Sequence, residues 1–320
     1  MTFRSPFLAL PGAVEADGVD AGVAAHYGDP LREQRALLAG EGVVDLSHRG
    51  VVRVSGADRL SWLHSLTTQH LLDLAPHIPI TTLVLSPHGH VEHAMTGYDD
   101  GEALWLHVEP GAATSLVAWL EGMRFMMRVE VADVSAEWAT IARSEADFEF
   151  VRRSDLADAV ASTAPLGESA PGAAPCGNWA FEALRIARGE ARFGLDTDHK
   201  TIPNETGWIG TAVHLDKGCY RGQETVARVH TLGRPPRRLV LLHLDGSVDH
   251  LPTHGAPVLL GDKEVGRVGS AARHFELGPV ALALVKRNVD PSAVLQADGV
   301  PAAQEIIVDP GVGLHVRSRL

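Results

Sequence analysis

The chain has 320 residues, hydrophobic residues make up 45% of it, and its formal net charge is -12. That length supports two or three compact domains, and the acidic balance excludes a general nucleic-acid binder, which needs a basic face. Two cysteines, Cys176 and Cys219, exclude a disulfide framework and point to a reducing compartment. No apolar run reaches the length of a membrane span, and the N-terminus has no apolar core before a small-residue cleavage site. A cytoplasmic protein without membrane or nucleic-acid partners is expected.

Residues 1–30, rich in Gly, Ala and acidic side chains and punctuated by Pro6, Pro11 and Pro30, read as a loosely ordered lead-in. Residues 31–38 predict a short helix ended by Gly40 and Gly42. A strand, a polar turn and a second strand follow over 42–55, with Asp45, Ser47 and His48 at the turn. The plainest role for these three is turn chemistry, because Asp and Ser bond nearby backbone. Residues 57–74 place Leu60, Leu63, Leu66, His70 and Leu74 along one helical face.

From Thr81 the apolar period drops to two. Strands are predicted at 82–85, 91–98 and 103–108, joined by turns at 87–89 and 99–101. A helix at 111–122 and strands at 128–134 and 137–143 complete this half. His88, His90 and His93 raise the question of a metal. On a strand the first two share a face and the third points away, with no cysteine beside them. A solvent-facing hairpin is the reading, and no metal is predicted.

Residues 161–178 are small, Pro-rich and nearly uncharged, the composition of a linker. Asn178 then caps a helix at 179–188 ended by Gly189, and Arg185, Arg188 and Arg192 add a local basic surface. Beyond Arg237, short strands at 239–244, 256–260, 264–270, 280–285 and 305–308 predict a small antiparallel barrel or sandwich as a separate domain.

Residues 214–228 hold the densest chemistry: Lys217-Gly-Cys219-Tyr220-Arg221-Gly-Gln223-Glu224, with Arg228 after it. A thiolate is the reactive form of cysteine, and Lys217 and Arg221, two residues to either side of Cys219, are expected to bias it toward that form. Gln223 and Glu224 add an amide and a carboxylate for orienting a bound group. A small buried cysteine in a structural turn is the competing reading.

This motif resembles the Lys-Gly-Cys-Tyr-x-Gly-Gln-Glu signature of the YgfZ family, folate-binding proteins related to the T-protein of the glycine cleavage system. Asp45-Leu-Ser47-His48 is similar to the T-protein Asp-x-Ser-His segment. The run from Leu184-Arg185-Ile186 through Phe193-Gly194 to Pro203-x-Glu205 also resembles that family. The resemblance implies an α+β fold: a T-protein-like folate-binding domain of two α/β subdomains over 31–236, then a small antiparallel β-barrel over 237–320. It implies tetrahydrofolate or a derivative as cofactor, and iron–sulfur client or assembly proteins as partners. Asp45, Ser47, His48, Arg185, Glu205, Tyr220, Arg228 and Arg273 are the implied folate contacts, arginine being suited to the carboxylates of a folate tail. Cys219 is the implied working residue, supported by Lys217, Arg221, Gln223 and Glu224.

Two departures separate the chain from the T-protein pattern. The T-protein's catalytic aspartate follows its hairpin turn, where this chain has His93-Ala94, and the pterin-binding glutamate position is Ala187. The resemblance therefore implies a folate-dependent accessory protein for iron–sulfur assembly or repair. The alternatives are a folate-dependent one-carbon transferase and a non-catalytic folate-sensing module.

Overall fold

A computed structural model of the chain describes residues 3–144, 146–163 and 172–312. The chain divides into two compact units. The first comprises Met1–Trp62, Leu72–Ile80 and Met95–Leu184, and the second Leu63–Leu71, Thr81–Ala94 and Arg185–Leu320.

Two larger sheets build the first unit. In one, the strand Gly50–Ser55 lies antiparallel between Ala103–Val108 and Glu130–Asp133, and residues 96–99 pair with the outer side of Ala103–Val108. All six residues of Ala103–Val108 are buried, as expected of a central strand covered on both faces. The other sheet runs in the order Phe148–Arg152, Trp138–Ala142, Gly42–Asp45, Ala174–Cys176. The last pair is parallel, so the end of the expected linker is an edge strand, where Pro175 is tolerated. Residues 164–171 of that expected linker lie outside the described residues.

The N-terminal segment is ordered. Phe7 sits in a 3-10 turn, Pro6–Ala9, and packs with Val43, Ala139, Ile141 and Leu156. Ala24–His26 pairs with Val14–Glu15. The glycines and acids of this stretch mark tight turns between buried apolar residues.

In the second unit six strands close a barrel in the order Arg237–Leu244, Gly278–Lys286, Lys263–His274, Pro257–Leu260, Leu295–Ala297, Val300–Ile306. Each neighbouring pair is antiparallel. Val240, Leu242, Val258, Val268, Ala283 and Leu295 are among the side chains filling it. Asp196 ties the preceding segment to this barrel. Its carboxylate accepts from Arg185 Nη1 at 2.9 Å, from the Arg192 N–H at 2.8 Å and from the Ser270 N–H at 2.7 Å.

The helix expected over 57–74 spans only Arg59–Leu66. The Thr67 hydroxyl donates to Leu63 O at 2.8 Å. Thr68 then leaves the helical path: its hydroxyl donates to Ala212 O at 2.7 Å and accepts the Leu83 N–H at 2.9 Å. Side-chain bonds of this kind compete with the helix ladder. No helix among the described residues is long and apolar enough to cross a membrane.

Removing the Asp196 carboxylate strands the Arg185 guanidinium in a buried site. Asp196→Ala is expected to lower unfolding stability by about 3–5 kcal/mol. A urea titration checks this, with the midpoint falling and the slope unchanged.

Candidate functional site

The second unit presents Cys219. The approach is fixed first by the His214 N–H, which donates to Thr68 O at 3.0 Å. Lys217 is 6% exposed, and its ammonium donates to the carbonyl oxygens of His64 and Thr67. These carbonyls lie at the C-terminal end of the helix Arg59–Leu66, where the backbone dipole favours a cation. Burial pushes the Lys217 ammonium down to about 8. The same ammonium stands 5.0 Å from the centroid of the Tyr220 ring.

Tyr220 is buried with Leu83, Leu85, Val91, Trp208 and Val226, and burial pushes its phenol up to about 12. Gly218 and Cys219 are exposed between these two buried residues. The loop is thus pinned on both sides of the thiol.

The hairpin 80–94 supplies the second support. Its turn is closed by the Ser86 hydroxyl, which accepts the N–H groups of His88 and His90 at 3.2 and 3.1 Å. Gly222, at φ +81, meets this turn backbone to backbone. A Cβ on Gly222 would lie 2.5 Å from Ser86 O and 3.0 Å from Gly89 Cα. A Cβ on Gly89, at φ +79, would lie 2.8 Å from Thr225 Cβ. Both positive φ values and both close approaches require glycine. Arg221 Nη1 adds an ion pair to Glu92 Oε2 at 2.8 Å.

Gly222 and Gly233 then bound a helix, Gln223–Leu232, whose only buried residue is Val226. Glu224 and Arg228 pair on its exposed face at 2.7 Å. His93 lies on the hairpin's second strand, one residue past Glu92. Burial lowers its imidazole from the ordinary value, and the Glu92 charge opposes that shift.

Lys217 and Arg221 therefore have partners of their own, at backbone carbonyls and at Glu92. What they do visibly is anchor the loop. Arg185 is engaged inside the protein, by Asp196, by Ser270 Oγ at 2.7 Å and by Glu190 O. Glu205 is fully buried and accepts from Arg237 Nε and Nη2 at 2.9 and 2.8 Å. Both of these expected folate contacts are held by partners within the second unit. Arg273 is exposed and faces Asp249 at 3.5 Å.

Asp45, Ser47 and His48 lie in the first unit. Asp45 Oδ1 accepts the Ser47 N–H at 2.9 Å, and His48 Nε2 bonds Asp20 Oδ1 at 2.9 Å. Asp45 Oδ2, Ser47 Oγ and His48 Nδ1 are enclosed and have no hydrogen-bond partner among the described residues. Cys176 is buried, and burial pushes its thiol up to about 12. Among the described residues no group of three or more His, Cys, Asp or Glu side chains is placed to hold a metal ion.

Sequence reasoning missed the residues that receive Lys217. His64, His70 and His214 gather beside it: ring centroids are 4.8 Å apart for His64 and His70 and 5.4 Å for His70 and His214. No local pattern links residue 64 to residue 217. The only trace is three histidines near segments that are otherwise apolar or acidic.

A mixed sheet domain followed in sequence by a closed C-terminal barrel, with Cys219 on the segment between them in sequence, describes a known architecture. Residues 26–144 match the GCVT N-terminal domain and residues 237–307 the Glycine cleavage T-protein C-terminal barrel domain, together more than half of the chain. The chain thus carries both T-protein-like domains.

Among its relatives, a chloroplastic "Putative transferase" of Arabidopsis thaliana is 27% identical over 74% of this chain, which spans 64% of that relative's length. The aminomethyltransferase of Rippkaea orientalis is 27% identical over 80% of this chain and 81% of its own length. The crystal structure of the glycine cleavage system aminomethyltransferase T from Bartonella henselae superposes with a TM-score of 0.74. It covers 95% of both chains at 17% identity, a likeness of fold.

Gly222→Ala forces a side chain against Ser86 O and out of a left-handed backbone. The expected cost is about 1–3 kcal/mol. Thermal melts check it, and the Cys219 loop should exchange its amide protons faster in the variant than in the parent.

Proposed function

We propose that the chain is a tetrahydrofolate-binding accessory protein of the cytoplasm that supports iron–sulfur cluster assembly or repair in client enzymes, with Cys219 as its working thiol. One observation carries the reading. The exposed thiol stands on a loop joined by Arg221–Glu92 and by Gly222 to the hairpin whose second strand bears His93 and Ala94. There the T-protein pattern has its catalytic aspartate. An imidazole depressed by burial is a poor replacement for that carboxylate, so the thiol is the reactive group this unit offers.

One thiol cannot hold a cluster that takes four ligands. Cys219 therefore acts with ligands of the client, as one donor in a shared site. Gln223 and Glu224 follow it at the start of the helix and are placed to orient what it meets. For folate, Arg228 and Arg273 offer guanidinium groups in exposed ion pairs, which are weak and readily exchanged for a ligand's carboxylates. Tyr220 offers a ring fixed by packing. Asp45, Ser47 and His48 keep unspent hydrogen-bonding atoms, which a pterin or its amide reaches only if the surrounding chain opens.

A second reading, a folate-dependent one-carbon transferase, is favoured by relatives that are named as aminomethyltransferases. Incubation with methylene- or methyl-tetrahydrofolate and amine acceptors separates the two, since the accessory role predicts no turnover.

Titration of tetrahydrofolate into the purified chain should give saturable heat for the parent and for Cys219→Ser. In cells lacking the native protein, the parent should restore a cluster-dependent enzyme and Cys219→Ser should not. Absent heat removes the cofactor from the account, and full complementation by Cys219→Ser removes the thiol.

A further inference from the structure

The junction that receives Lys217 holds more titratable groups than anchoring needs. His64 lies at the end of the helix Arg59–Leu66, and its Nδ1 accepts the Leu71 N–H at 3.2 Å. The ring is therefore the neutral tautomer with its proton on Nε2. The His64 carbonyl, on the same residue, accepts from the Lys217 ammonium. The edge of His64 meets His70, and His70 meets His214. The charged and titratable groups that bear on His64 are Lys217, His70 and His214, all basic.

Proton uptake at His64 has two local consequences. Nδ1 becomes a donor facing the Leu71 N–H, so that hydrogen bond is lost. A second cation also arrives beside the Lys217 ammonium, in a pocket where burial already opposes charge. The first change loosens the segment 64–71 that receives the loop, and the second acts on the Lys217 contact itself.

We propose that His64, with His70 and His214, forms a proton-sensitive latch on the Cys219 loop: closed while His64 is neutral, and released when it takes up a proton. The direction follows from linkage. Burial, then Lys217, His70 and His214, hold His64 below its ordinary value of 6.5 in the closed state. The released state thus binds the proton more tightly, so closure is complete above that value and is lost as pH falls through it. The latch stands on this geometry alone and does not depend on what the thiol reacts with.

Hydrogen exchange of the full chain, read by mass spectrometry and corrected for the intrinsic pH dependence of exchange, tests it. Between about pH 7.5 and about pH 5.5, peptides covering 63–71 and 214–222 should lose protection, because the released state binds the proton more tightly. A barrel peptide over 278–286 should not change. His64→Gln keeps an acceptor for the Leu71 N–H without titrating, so its two segments should stay protected across the range. His214→Asn, at an exposed position, removes one of the groups that hold His64 down, so closed and released states differ less in proton affinity and the loss of protection at low pH should shrink. Flat protection in the parent, persistence of the pH dependence in His64→Gln, or an undiminished loss in His214→Asn each overturns the latch.

Discussion

The Cys219 loop depends on a contact made without side chains. Gly222 and Gly89 bring two backbones together at a distance that a single methyl group would break, and each holds a left-handed φ that glycine alone adopts without strain. The approach fixes where the helix Gln223–Leu232 begins and seats the loop on the hairpin turn closed by Ser86. Two longer contacts, Lys217 to the carbonyls of His64 and Thr67 and Arg221 to Glu92, then hold the loop on either side of the thiol. Packing of Tyr220 against Leu85 and Val91 completes the seat.

Charge is placed here for position more than for reactivity. Lys217 is buried at a helix terminus and Arg221 is paired across to the hairpin, so the loop's two cations oppose backbone and carboxylate charge away from the exposed residue between them. The same economy appears at Arg185 and Arg237, where guanidinium groups serve Asp196 and Glu205 inside the second unit. Buried pairs of this kind add little net stability over apolar packing. Losing one partner is costly, because it leaves an uncompensated charge.

Much of the fold was legible in the sequence. Period-two alternation found the strands Ala103–Val108 and Val91–Asp99, and closely spaced short runs found the barrel. What escaped has physical causes. Ala174–Cys176 is three residues long, contains proline and sits at a sheet edge, so it carries a linker's composition. The helix Gln223–Leu232 buries only Val226, which leaves no apolar stripe to read, though Gly222 and Gly233 bracket it. The threonine hydroxyls that end the helix Arg59–Leu66 act through partners at Leu83 and Ala212, beyond any local pattern. At the site, Cys219 and its two glycines were visible as a motif. The partners of Lys217, Arg221, Arg185 and Glu205 were not, because each pairing is set by the folded chain rather than by spacing.

The fold sorts two thiols, presenting Cys219 and sealing Cys176 behind Gly42 and Leu37. Alkylation of the native chain with iodoacetamide, followed site by site by mass spectrometry, tests this most directly. Cys219 should be modified first and nearly completely while Cys176 stays intact until denaturant is added. Equal rates at the two sites, or modification of Cys176 ahead of Cys219, would contradict the account.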